Sequence, residues 1–305
     1  MQFRKSVDFT VNRICERRRS APGTSGENFT RRGLWVRVIY DKIRSRIKSG
    51  RKSAEEMRKA KRNEESTAKR TRWWIVPVIL LLAALAWILY TSDYYRADET
   101  ALRAMESEDI RITGTDYGWY FDGPSETEAL IFYPGGKVEE TAYAPLLSRL
   151  AENGIDVCLV KMPFHLAVFG VNAAERVMKE YSFDEWYIGG HSLGGAMAAF
   201  FAAKHRLDGV LLLAAYPTKP LEEPMLLLYG SEDSVLNRDR VSNASEYGEV
   251  EEHVLDGGNH AQFGNYGPQK GDGAAGITAG EQQEETVRLI LEWVERTEQK
   301  ETGGN

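Results

Sequence analysis

Five short runs, hydrophobic at nearly every position rather than at alternate ones, constrain this chain more than anything else in it. They are "ALIFYP", "IDVCLVKMP", "EWYIGG", "GVLLLAAYP" and "PMLLLYG". A strand with one solvated face alternates apolar and polar residues, whereas a strand buried on both faces does not. Helical stretches fit between most of the runs, around Ala142 to Glu152, Ala173 to Tyr181 and Leu193 to His205, with another from Gly280 to Arg296 near the end. This alternation predicts an α/β fold, a mostly parallel sheet covered by helices on both faces, with ligands meeting the carboxyl ends of the strands. Ahead of it, "DIRITGTDYGWYFDG" reads as a hairpin with glycine-containing turns.

A different constraint operates upstream. "WWIVPVILLLAALAWILY", Trp73 to Tyr90, is about 18 residues without a charge and with aromatic residues at both ends, enough to cross the hydrocarbon core of a bilayer. Pro77 falls in or near its first turn, where a missing backbone donor costs little. Met1 to Arg72 carry about 22 Lys or Arg against about 8 Asp or Glu, although the whole chain stands at −6. The basic cluster Lys69, Arg70 and Arg72 precedes the apolar segment and an acidic stretch follows it. That bias predicts a single-pass protein of the cell membrane, its N-terminus cytoplasmic and everything after Tyr90 extracytoplasmic. Thr91 to Tyr95 offer no small-residue cleavage site, so the segment reads as a retained anchor rather than a signal peptide.

The expected organisation is a basic, largely disordered cytoplasmic segment over 1–72 and a transmembrane helix over 73–91. A linker over 92–107, an α/β domain over 108–298 and a disordered tail over 299–305 follow. Within the first segment Val36, Ile39, Tyr40, Ile43 and Ile47 recur at helical spacing among basic residues. Such a helix suits an anionic membrane surface, and a merely solvated helix is the alternative. Met57 is a second candidate start of translation. No recognition module accompanies the basic charge, so the expected partner is the lipid bilayer, through the anchor, and not nucleic acid. Cys15 and Cys158 would lie on opposite sides of the membrane and could not pair; Cys158, inside "DVCLV", reads as a small buried hydrophobe.

Candidate chemistry sits where a strand meets a helix. Gly190-His191-Ser192-Leu193-Gly194 is a G-x-S-x-G arrangement between "EWYIGG" and "LGGAMAAFFAAKH". A serine on so sharp a turn needs small residues two positions to either side, because larger ones would collide with neighbouring backbone. The helix behind Ser192 favours developing negative charge, and the backbone N–H of Leu193 points where an oxyanion would form.

A serine hydroxyl needs a base to take its proton. Of the five histidines, His191 adjoins the serine and points elsewhere, His205 should end a helix, and His253 alternates within "EVEEHVLD". His260, in the loop "DGGNHAQFG" directly after that strand, is the candidate base. An acid should lie between serine and histidine at a strand end. "MLLLYGSEDSVL" supplies Asp233, with Glu232 as the second candidate. A second oxyanion donor is expected in the loop after "ALIFYP", where Pro134-Gly135-Gly136-Lys137 lets backbone approach a substrate; Gly136 is the candidate and Lys137 the alternative.

On these residues the chain resembles the α/β-hydrolase superfamily, in particular its small dienelactone-hydrolase-like members with little or no cap. The resemblance covers about Asp109 to Arg296 and rests on Ser192, Asp233 and His260 in that order, the elbow, and the Gly135-Gly136 loop. It implies an eight-stranded type of sheet and hydrolysis of a carboxylic ester or related acyl bond through an acyl-enzyme. The chain would then be a membrane-anchored serine hydrolase with a small-molecule ester or acyl substrate. A peptidase or acyltransferase would use the same three residues, and a silent ligand-binding member would keep only the fold. Two positions depart from the family pattern: dienelactone hydrolases use cysteine where this chain has Ser192, and Pro134 stands where the oxyanion loop commonly begins with histidine.

Only "TKPLEE" joins "GVLLLAAYP" to "PMLLLYG", too little for an inserted lid, so substrate contacts fall to other loops. Phe164, Leu166 and Phe169 in "KMPFHLAVFG" are pocket candidates, or else pack on the core. "AQFGNYGPQKGDGAAG" is long enough to cover the site. Its Asp272 stands alone, so no metal site is read here and no cofactor is expected.

Overall fold

The structure, a computed structural model, describes residues 28–124 and 127–303, with side chains at all of these except 28–36, 67–72 and 301–303. The chain divides into one unit up to Ala83 and a second from Ala84.

The first unit is helical. Helix α1 runs from Asn28 to Ser92 and carries Pro77 within it. The expectation of little order over 1–72 is corrected from residue 28 onward; residues 1–27 lie outside the described ones. Too few apolar residues for a core are not too few for a solvated helix, which needs only its own backbone bonds and helix-forming side chains. Between Arg51 and Arg72 the chain is mostly Ala, Lys, Arg, Glu and Met, with Glu55 four residues ahead of Lys59. Ile39, Ile43 and Ile47 do fall on this helix, each exposed. Trp73–Ser92 is the one helix among the described residues long and apolar enough to cross a membrane, with a mean hydropathy of 2.3.

The second unit is built on one eight-stranded sheet. Its strands are β1 (Arg111–Gly114), β2 (Gly118–Asp122), β3 (Glu128–Tyr133), β4 (Ile155–Val160), β5 (Glu185–His191), β6 (Gly209–Leu213), β7 (Met225–Gly230) and β8 (Val250–Leu255). They lie in the order β1-β2-β4-β3-β5-β6-β7-β8, parallel from β4 to β8 and antiparallel at the β1–β2 hairpin and its junction with β4. The five apolar runs are β3 to β7, and β4, β6 and β7 bury every residue. Successive side chains leave opposite faces, so Phe132 and Leu211 join one core while their neighbours Ile131 and Leu212 join the other.

Helices α2 (Glu99–Ala104), α3 (Ala144–Glu152), α4 (Ala174–Glu180), α5 (Leu193–Ala202), α6 (Arg238–Val241) and α7 (Ala279–Gly303) complete the unit. Two expected boundaries move. The linker over 92–107 is folded: Tyr95 forms a parallel bridge to Val138, Asp98 caps α2, and Ala101 is fully buried. Tyr95, Ala97, Ala104 and Met105 pack on the core, which gives this stretch the apolar contacts a free linker lacks. The tail is helix as far as Gly303, because the buried Thr297 and the Lys300–Glu249 ion pair carry α7 past residue 298; Gly304 and Asn305 lie outside the described residues.

The strand order decides where chemistry can occur. β3 and β5 are central neighbours, and β6, β7 and β8 follow in sequence to one side. Loops leaving β3, β5, β7 and β8 therefore open along one edge of the sheet, and they carry Gly136, Ser192, Asp233 and His260.

Candidate active site

Ser192 occupies the junction of β5 and α5 with φ 52° and ψ −120°. A serine gains nothing from this left-handed region, and holding it there costs about 1–3 kcal/mol, supplied by the surrounding fold. Ser192 N–H donates to Leu213 O at 2.8 Å. The glycines on either side explain the motif's spacing: a Cβ on Gly190 would lie 2.3 Å from Tyr133 O, and one on Gly194 2.1 Å from the same oxygen. The elbow thus packs directly against the carbonyl that ends β3.

Asp233 and His260 meet on the same edge of the sheet, with His260 Nδ1 2.8 Å from Asp233 Oδ2 and both side chains buried. The other carboxylate oxygen, Oδ1, accepts from Val235 N–H and Leu236 N–H, each at 2.9 Å. Burial pushes the Asp233 carboxyl up, but the His260 bond and charge and the two amides outweigh it and hold the group below the ordinary carboxylate value. Glu232, the second candidate acid, is exposed and paired with the Ser231 hydroxyl. The far nitrogen of the candidate base, His260 Nε2, is buried and has no hydrogen-bond partner among the described residues.

Both loops are held from outside. Gln282, fully buried on α7, accepts from Asn259 N–H and donates to Asn259 O, each at 2.9 Å, fixing the residue before His260. Asp272 accepts from Ala261 N–H at 2.9 Å and from Ser234 N–H at 3.4 Å, tying the loop of His260 to that of Asp233. The Arg238 guanidinium donates to the carbonyls of Ser231 and Asp233. Sequence reasoning missed these supports. Gln282 left one trace: it shares a helical stripe with Thr286, Leu289 and Trp293, all buried, where a polar residue calls for a partner. Asp272 left none, since its partners are backbone amides.

The loop after β3 separates its candidates. Lys137 N–H donates to His165 O at 2.7 Å and is committed there, while Gly135 N–H donates to Tyr143 Oη at 3.0 Å. No described residue accepts from Gly136 N–H, and a Cβ on Gly136 would stand 3.0 Å from the Leu193 side chain. Gly136 and Leu193, the two candidate donors, are therefore adjacent. Leu193 N–H lies in the first turn of α5, where helix geometry provides no carbonyl for it.

His191 does point away from solvent, but into this assembly. Its Nδ1 lies 2.8 Å from Tyr143 Oη, and its ring centroid 4.6 Å from that of His260. Burial, then the neighbouring His260, lowers its pKa well below the usual histidine value, so the ring is neutral and shares one hydrogen bond with the tyrosine hydroxyl. His205 stacks on Phe201 beyond the end of α5, and His253 pairs with Glu251 on β8. Phe164 and Phe169 are more than half exposed and touch each other and Trp87 edge to face, while Leu166 is half-buried. Cys158 is buried in β4, which pushes its thiol up to about 12.

A model of the alpha/beta hydrolase family matches residues 129–284, from β3 into α7. None of the curated proteins matches the chain. Among solved structures it is similar to a dienelactone hydrolase from Anabaena variabilis, at 12% identity over 62% of this chain and 99% of that one, TM-score 0.46. A thermophilic esterase from Thermogutta terrifontis shares 13% identity over 63% and 96%, TM-score 0.42. An acylaminoacyl peptidase from Pyrococcus horikoshii shares 13% over 66% and 44%, TM-score 0.46.

Proposed function

Because the chain belongs to the alpha/beta hydrolase family, we propose that it is a membrane-anchored serine hydrolase that cleaves a carboxylic ester or related acyl bond. The observation that carries this reading is the buried Asp233–His260 pair, bonded at 2.8 Å, whose Nε2 is left free on the sheet edge where the strained Ser192 turn lies. His260 Nε2 takes the Ser192 proton as Oγ attacks the acyl carbon. The Leu193 and Gly136 amides receive the oxyanion. Collapse breaks the acyl–oxygen bond, and the alcohol leaves with the proton from His260. Water, deprotonated by the same nitrogen, then releases the acid and restores Ser192. Asp233, held anionic, fixes the imidazole and stabilises its charged form at each step. Trp73–Ser92 supplies the anchor, and the basic flank before it sets everything after Tyr90 on the extracytoplasmic side.

A fluorophosphonate probe tests the chemistry. The wild-type chain should label, Ser192→Ala should not, and the same variant should lose at least about 10³-fold in kcat on a short soluble ester. Equal labelling of Ser192→Ala would sink the proposal. Turnover of peptides in place of esters across a graded panel would make the chain a peptidase.

A further inference from the structure

The stretch that follows the apolar helix does not hang free of the site; it is sewn to the oxyanion loop. Tyr95 N–H donates to Lys137 O and Glu139 N–H to Tyr95 O, both at 2.8 Å. The Lys137 ammonium lies 3.0 Å from Asp93 and 4.7 Å from the centre of the Tyr90 ring. His165, whose carbonyl holds Lys137 N–H, stacks on Tyr94 with ring centroids 3.9 Å apart. One helical turn back, Trp87 meets Phe164 and Phe169, each at 5.6 Å. Those rings and Val168 form an exposed apolar patch on the loop after β4. From Lys137 the next residue is Gly136, which abuts Leu193 beside Ser192.

Trp87, Tyr90, Tyr94 and the Arg96 guanidinium over Tyr94 make up the kind of aromatic and cationic belt that settles at a headgroup layer. Phe164 and Phe169 touch Trp87 of that belt and Val168 adjoins them, an exposed apolar group of the kind that enters the acyl boundary. Resting on the serine-hydrolase and anchor reading, we propose that the site opens onto the bilayer and that its substrate is the acyl ester of a membrane lipid. Cleavage breaks the lipid's acyl–oxygen bond. The alcohol half leaves with the His260 proton, and water converts the Ser192 ester to a free fatty acid.

The full chain, with Cys15→Ser, is reconstituted in vesicles of phosphatidylglycerol, phosphatidylcholine and diacylglycerol. A nitroxide on Val168→Cys should collide preferentially with oxygen, and one on the exposed Glu152→Cys, at the opposite end of β4, with a water-soluble nickel chelate. The wild type should release fatty acid from these vesicles and also cleave p-nitrophenyl acetate. Val168→Asp should cut lipid turnover at least tenfold and leave the soluble ester within twofold. A solvent-like nitroxide at Val168, absence of lipid turnover, or equal loss on both esters overturns the inference while the soluble activity upholds the hydrolase. Inactivity on both substrates overturns the two together.

Discussion

His191 adjoins Ser192, the proposed nucleophile, in sequence yet serves the opposite loop. Through Tyr143 it braces Gly135, and so sets the position of the Gly136 amide. Its neutrality has a measurable cost in acid. Below about pH 6.5 the unfolded chain binds a proton on this residue while the folded chain, with its lowered value, does not. Stability should therefore fall by about 1.4 kcal/mol for each pH unit from there down to the folded value. Asp233 acts in the same direction in a separate window, because its contribution is present above the ordinary carboxylate range and is lost as pH drops through its lowered value. Denaturant midpoints in detergent between pH 7 and pH 5 isolate the first effect: His191→Asn, whose amide can donate to or accept from Tyr143, should flatten the slope. An unchanged slope would assign it elsewhere.

At the scale of elements, Gln282 shows how a helix distant in sequence holds the loop of the proposed base, His260. Gln282→Ala deprives the backbone N–H and C=O of Asn259 of their partner in a buried setting, at about 1–3 kcal/mol for each unsatisfied group. A lower melting temperature and a fall in kcat on the soluble ester, with KM little changed, are expected; a change confined to KM would place Gln282 on the substrate instead. The same scale shows what the chain makes legible. Strands β3 to β7 were readable because burial on both faces removes the polar half of the pattern, and Ser192 because Gly190 and Gly194 leave no room beside Tyr133 O. Asp233 and His260 could be located by chain order, since each follows a strand. The supports were harder to locate, because Tyr143, Asp272 and Gln282 act through polar contacts to residues on other loops, and only Gln282, polar within a buried helical stripe, marks its own position. Order in α1 was hidden for a different reason: the argument from apolar content tests for a core, and a lone helix does not require one.

For the whole molecule, the proposed anchor predicts fractionation and sidedness. The chain should stay with membranes through high salt and come off only in detergent, and a protease added to intact cells should remove the domain after Tyr90. Full protection would reverse the orientation. The contact between Tyr95 and Val138 adds a consequence for kinetics. Only Asp93 and Tyr94 separate the end of the apolar helix from a residue paired to the domain, so an anchored enzyme has almost no leash. It cannot reach far into the surrounding fluid for its substrate. Its turnover would follow molecules per unit area and their lateral diffusion, and diluting the suspension at constant surface composition would leave the rate per enzyme unchanged.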